Sequence, residues 1–262
     1  MESIKKFGTE PFVKALKAFF EELKVPVDHL ANEPASAADI LGDKFKPTNE
    51  AHKLIEDVYA LGMVNDAVFE GKQTFKDIAE VKNLKADYDG LLIFGVSLHQ
   101  RKDGLLPSRS QLAEITRTFN RAFTNTPVSI VFKYDGNISF ANSERNKYKQ
   151  EWREGEKVGK VTMLKDINAQ NPHTAHLKIL SGLAIDPNKI DSFQLLYNYW
   201  QSVFSLQALN NQFYADLQDW FYYASQNIKL PYKPDYINDK ENIKNFLVRL
   251  LARTMFCWFV KE

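Results

Sequence analysis

The chain has 262 residues, of which 44% are hydrophobic and 13% aromatic, enough apolar material for one large core or two smaller ones. A formal net charge of +1 excludes a strongly basic or acidic field over the whole molecule, so contact with nucleic acid has to come from a local patch. One cysteine excludes an internal disulfide, and no run reaches the roughly 18 apolar residues of a membrane span or forms a signal-type core after Met1, so a soluble, cytoplasmic protein is expected.

Apolar positions at Phe12, Val13, Leu16, Phe19, Phe20 and Leu23 repeat at helical spacing and predict an amphipathic helix over residues 10–24. After a loop at 32–37 rich in turn residues, the spacing predicts a second helix over Asn49–Leu61 with Thr48 as its cap. Gly90–Leu98 is short, continuously apolar and bounded by turn residues, the pattern of a buried central strand. Ser108 and Gln111 have capping-box spacing, and Leu112, Ile115, Phe119 and Phe123 supply the buried stripe of the helix that follows. Val128–Lys133 and Ile138–Ala141 flank Asp135-Gly136, a strong hairpin signal, and a further strand is expected at Lys160–Leu164.

Asn171-Pro172 reads as the cap and first residue of another helix, with Leu177, Ile179 and Leu180 turned inward. From Phe193 onward the chain is helical and aromatic, with Leu195, Leu196, Trp200 and Phe204 in one helix and Leu209, Phe213, Leu217, Trp220 and Phe221 in the next. Helical spacing favours a core over a base-stacking platform for the Trp and Tyr residues between Tyr197 and Tyr223. A last helix, capped by Asn238 with Glu241, runs through an apolar stretch at Met255–Val260 in which Cys257 is expected to be buried. No Gly, Pro or polar tail follows Val260, so the natural chain is expected to continue. These elements predict an α+β fold: a mixed domain over 1–185, with a small mixed sheet and flanking helices, then a helical connector over 186–262.

Candidate chemistry is sparse. A metal-dependent nuclease site of the Asp, then Glu-x-Lys kind needs carboxylates on adjacent strands to hold a hard divalent cation such as Mg, and a lysine to steer the water. Asp87 and Asp89 precede a central strand as a first carboxylate should, but that strand continues Val96-Ser97-Leu98-His99 where an acid and a lysine are wanted. Glu144, Glu151 and Glu156 would have to be recruited; otherwise Asp87 and Asp89 are turn residues. His173 and His176 share helical spacing without a third ligand, no metal site is assigned, and no nucleotide-binding glycine loop or nucleophile elbow occurs. The segment Ser143–Lys160 interleaves Arg145, Lys147, Lys149, Arg153, Lys157 and Lys160 with aromatics, as phosphate-tracking surfaces do, although its acids nearly balance its bases and a solvated hairpin is the competing reading. Arg117, Arg121 and Lys133 would extend the patch if they face the same way.

Three stretches carry a family resemblance. They are Val131–Asp135 with Ser143-Glu144-Arg145 and Gly159–Ile167, the block Leu209–Phe221, and the closing Leu250–Glu262. Together, over about residues 88–262, they resemble the N-terminal region of fused type II restriction-modification proteins of the Eco57I kind, large bacterial proteins with an adenine-N6 DNA methyltransferase further along. The resemblance implies a parent that binds DNA and transfers a methyl group from S-adenosylmethionine. The family's Asn-Pro-Pro-Tyr motif would lie beyond Glu262, since Asn171-Pro172 is followed by His173. It further implies a degenerate nuclease-like scaffold or a metal-dependent endonuclease at this end. The last helices would dock the remainder of the chain; a module that binds protein alone is the third alternative.

Overall fold

The computed structural model describes residues 1–147, 156–204, 206–230 and 240–261. The chain separates into two compact units, Met1–Ser205 and Leu206–Glu262. Within the first unit the helices are α1 (Ser3–Thr9), α2 (Phe12–Glu22), α3 (Ala37–Leu41), α4 (Asp66–Phe69), α5 (Ile78–Lys82), α6 (Arg109–Ala122), α7 (Thr174–Ser181) and α8 (Phe193–Val203). Among the described residues the strands β1 (Asp28–His29), β2 (Ile55–Asn65), β3 (Gly90–Leu98), β4 (Val128–Tyr134), β5 (Asn137–Lys147) and β6 (Glu156–Asn168) form one open mixed sheet in sequential order. Every neighbouring pair is antiparallel except β3 and β4, which α6 joins in parallel. The α+β class and the mixed sheet with flanking helices are therefore as expected.

The local signals for β3, α6 and the β4–β5 turn map directly onto structure. Ser108 Oγ accepts the Gln111 N–H (3.2 Å) while Gln111 Oε1 accepts the Ser108 N–H (2.9 Å), closing the capping box. Asp135 (φ 44°) and Gly136 (φ 71°) both sit in the left-handed region, as a type I′ hairpin turn requires.

The helix expected over Asn49–Leu61 is not formed. A short 3₁₀ turn at His52–Leu54 leads into β2, which pairs with β3 from Ile55↔Leu98 to Asn65↔Gly90. Irregularities between Ile55 and Asp57 and between Ala60 and Gly62 shift the strand's alternation. Ile55 and Val58 then belong to one core and Leu61 and Val64 to the other, a three-residue spacing that imitates a helix. The next helix also starts later than expected: His173, not Asn171, caps α7 through its Nδ1, which accepts the Ala175 N–H (3.2 Å). Of its three inward candidates only Leu180 is fully buried. Leu195 points outward, 46% exposed, while Leu196 and Trp200 carry the buried face of α8.

Each face of the sheet has its own core. On one face α1, α2, α7 and α8 bring Phe7, Leu16, Phe20, Leu180 and Trp200 against Leu61, Ile93 and Phe140. On the other, α3 and α6 bring Ile40, Ile115 and Phe119 against Phe94, Ile130 and Phe132. Phe140 anchors the first core by stacking on Phe204 (centroids 5.4 Å apart) and meeting Trp200 edge-on (5.6 Å). The Trp200 indole N–H donates to the Leu183 carbonyl (3.0 Å), so the ring is satisfied as well as buried. Trp200→Ala should cost about 3–5 kcal/mol, read as a lower urea midpoint at unchanged slope.

The second unit contains α9 (Leu206–Asn227) and α10 (Lys240–Lys261), which pack on each other. Phe213, Tyr214, Trp220, Tyr222 and Tyr223 of α9 are exposed, so the aromatic core expected between Tyr197 and Tyr223 ends with the first unit. Cys257, expected to be buried, is exposed as well. Helical spacing predicts which side chains share a face; it does not supply a surface to cover them. Asn238, the expected cap, lies outside the described residues.

A buried histidine ties the 3₁₀ turn to α6. His52 Nδ1 accepts the Lys46 N–H (2.9 Å), which assigns the ring proton to Nε2, 3.0 Å from Thr118 Oγ1. Burial favours the neutral ring and lowers its pKa, with the Glu114 charge opposing and the Arg121 and Lys46 charges reinforcing the shift. Burial also lowers His29 and His176. Protonation therefore favours the unfolded chain: the stabilisation is full above the ordinary histidine value of about 6.5 and is lost as pH falls through the depressed native values. Unfolding midpoints should drop between pH 7 and pH 5, and His52→Gln should flatten that dependence.

Candidate nucleic-acid interface

The basic segment lies on an extension of the sheet. β4 pairs with β5 from Tyr134↔Asn137 to Ser129↔Asn142. Beyond that point β5 pairs only with β6, through Ser143↔Val161, Arg145↔Val158, Asn146↔Lys157 and Lys147↔Glu156. Residues 143–147 with their β6 partners thus make a two-stranded ribbon that leaves the body of the sheet by roughly 15 Å, at ~3.3 Å per residue. The backbone places Arg145, Lys147 and Lys157 on this ribbon, with exposed Lys160 at its base. Lys149 and Arg153 lie outside the described residues.

Helix α6 runs from the end of β3 back to the start of β4, so its last turn comes to the same end of the sheet as the ribbon. Arg117 and Arg121 are exposed on it, but Arg121 is already engaged by Glu114 (2.7 Å) and Thr118 (2.8 Å). Lys133 does not extend the patch. Its ammonium lies over the Phe12 ring (5.6 Å), on the α2 face of the sheet, whereas α6 covers the opposite face.

The nuclease alternative fares differently from the sequence expectation. Asp87 and Asp89 are exposed at the amino end of β3. Glu144 and Glu156 belong to the ribbon, separated from β3 by β4, and Glu151 is outside the described residues. Glu56 and Asp57 stand together on β2 at the carboxyl end of β3, where antiparallel pairing brings Asp57 opposite Ser97 and the Asp57 N–H donates to Ser97 Oγ (3.1 Å). Glu56, Asp57, Tyr59, Ser97, Lys133 and Asp135 line an open cleft of about 350 Å³ there. Burial, then the Asp57, Glu56 and Glu33 charges, push the Tyr59 hydroxyl pKa up, so it stays protonated.

This cleft is not legible in the sequence because the helix-like spacing over 49–61 conceals that Glu56-Asp57 stand at a strand start. Its β3 side holds Ser97 and Leu98, neither an acid nor a lysine, and α2 presses on the nearby Gly95. A Cβ on Gly95 would collide with Leu16 Cδ1 and lie 3.1 Å from the Phe12 ring. No group of three His, Cys, Asp or Glu able to hold a metal is found among the described residues, and His173 and His176, with rings 6.1 Å apart, find no third ligand there.

A second cleft of about 550 Å³ is lined by Lys53, His99, Arg101, Lys102 and Gln111. Its cations are largely paired: Arg101 with Asp103 and Gln111 (both 3.0 Å), Lys53 with Glu50 (2.5 Å). No helix among the described residues is long and apolar enough to cross a membrane. The chain matches no protein-family model, no curated protein and no solved structure.

Close approach of α2 makes Gly95 a sensitive position. Gly95→Ala should destabilise the protein by about 1–3 kcal/mol through overpacking, measured by urea unfolding; an unchanged midpoint would mean that α2 yields without cost.

Proposed function

We propose that this chain is a DNA-contacting scaffold of a bacterial restriction-modification protein, and that the β5–β6 ribbon is the element that meets the DNA. The observation that carries the reading is the departure of β5 and β6 from the sheet with Arg145, Lys147, Lys157 and Lys160 on that extension. Phosphate binding needs local positive charge without base-specific geometry, and a ribbon can follow a groove or backbone. The near-neutral chain makes such a local concentration the natural route to a polyanion.

On this reading, methyl transfer from S-adenosylmethionine to adenine belongs to the remainder of the restriction-modification protein. The exposed apolar residues of α9 and α10 would be covered by that remainder. Val96-Ser97-Leu98-His99 at the end of β3, with Gly95 packed beneath α2, favours a scaffold over the endonuclease alternative, which requires an acid and a lysine on that strand.

The test is binding to a fluorescent duplex across a salt series, with and without Mg. Replacing Arg145, Lys147, Lys157 and Lys160 with alanine should weaken binding to all sequences alike and flatten the salt slope by about 0.9 for each phosphate no longer neutralised. An unchanged slope would remove the ribbon from the interface. Mg-dependent cutting abolished by Asp89→Ala would restore the endonuclease, and no binding at low salt would favour a module that binds only protein.

A further inference from the structure

The ribbon leaves the sheet at one residue, and that residue is held from both faces. Ser143 is fully buried and stands just past Asn142, the last β5 residue paired with β4. Between Ser143↔Val161 and Arg145↔Val158 the register shifts, because β6 advances one residue more than β5. Such a bulge bends the strand pair and sharpens its twist, so the direction of everything beyond it is decided there.

On the face covered by α8, the Ser143 carbonyl accepts the Tyr197 hydroxyl (3.1 Å) and the Gln201 amide (3.4 Å). On the face covered by α6, Ser143 Oγ donates toward Asn120 Oδ1 (2.9 Å), with the Val128 carbonyl next nearest (3.2 Å). The Asn120 amide is itself fixed, since its Nδ2 donates to the Thr116 carbonyl (2.9 Å) and its Oδ1 accepts the Val128 N–H (3.3 Å). Elements from opposite faces of the sheet therefore grip one peptide at the root of the ribbon. The carbonyl bonds fix its peptide plane and the hydroxyl bond fixes its side chain, an arrangement more specific than packing alone.

We propose that Ser143 is the fulcrum that sets the angle of the β5–β6 ribbon, with Tyr197 and Asn120 as positioning residues. Neither need touch a ligand; each acts through the peptide it holds. As a statement about geometry the fulcrum stands on these hydrogen bonds, and its consequence for affinity rests on the DNA-binding reading.

Two spin labels separate the two ideas. In a Cys257→Ser background, which removes the exposed native thiol, Asn146→Cys on the ribbon and Arg109→Cys at the start of α6 accept the labels. The distance between them should follow one narrow distribution in this background. Tyr197→Phe and Ser143→Ala, each deleting one grip, should shift or broaden it, and the double variant should do so most, with unfolding checked by circular dichroism. An unchanged distribution in the folded double variant would overturn the fulcrum whatever the DNA affinity does. A shifted distribution with duplex binding roughly three- to tenfold weaker would support both the fulcrum and the DNA-binding role of the ribbon. A shifted distribution with unchanged binding would support the fulcrum and remove the ribbon from the DNA interface.

Discussion

Parallel pairing of β3 and β4 is the constraint on which the rest of the structure depends. A parallel pair cannot be closed by a tight turn, so the chain must cross the sheet, and α6 with its flanking loops makes that crossing. The crossing covers one face, and the central strands then require cover on the other, which α2 and α8 provide. Two cores follow, with β3 apolar on both sides. The same crossing sorts the molecule's ends: open clefts form beyond the carboxyl ends of β3 and β4, while β5 and β6 overrun the amino end of β4 and continue as the ribbon.

The sequence made the parts governed by short-range chemistry legible. Gly90–Leu98, the Ser108–Gln111 box and the Asp135-Gly136 turn depend on residues a few positions apart, and each was readable. β2 was not, because its irregularities move the apolar residues from one face to the other and leave a helix-like spacing. The exposure of α9 is not legible for a different reason: periodicity describes the helix and not its surroundings. The ribbon's basic residues stood out as a cluster, but their place beyond the edge of β4 depends on strand lengths set by tertiary pairing. The Asp57–Ser97 juxtaposition joins residues 40 apart and leaves no local trace.

Charge placement distinguishes the ribbon from the clefts. Arg101 is committed to Asp103 and Lys53 to Glu50, while Lys133 shares its cleft with Glu56, Asp57 and Asp135. Exposed pairs of this kind contribute little to stability, but they cancel each other's field at a distance. At the described positions of the ribbon and its base, four bases, Arg145, Lys147, Lys157 and Lys160, stand against two acids, Glu144 and Glu156. A short element projecting from the body can present that excess to a partner without carrying the rest of the surface into contact.

The packing of α2 on β3 limits what the centre of that strand can hold. Leu16 and Phe12 reach the sheet closely because residue 95 has no side chain. An acid there would have to displace both, or lie beneath them deprived of water, and an unpaired buried charge is far more costly than the packing it would replace. The close packing that completes the first core therefore works against a metal centre on that strand. Ser143 shows the complementary solution. Its buried polar groups are tolerated because each has a partner, and those partners come from helices on opposite faces. The core is apolar where α2 meets β3 and hydrogen-bonded where the ribbon departs, so the buried polar contacts gather at the root of the arm instead of the strand centre.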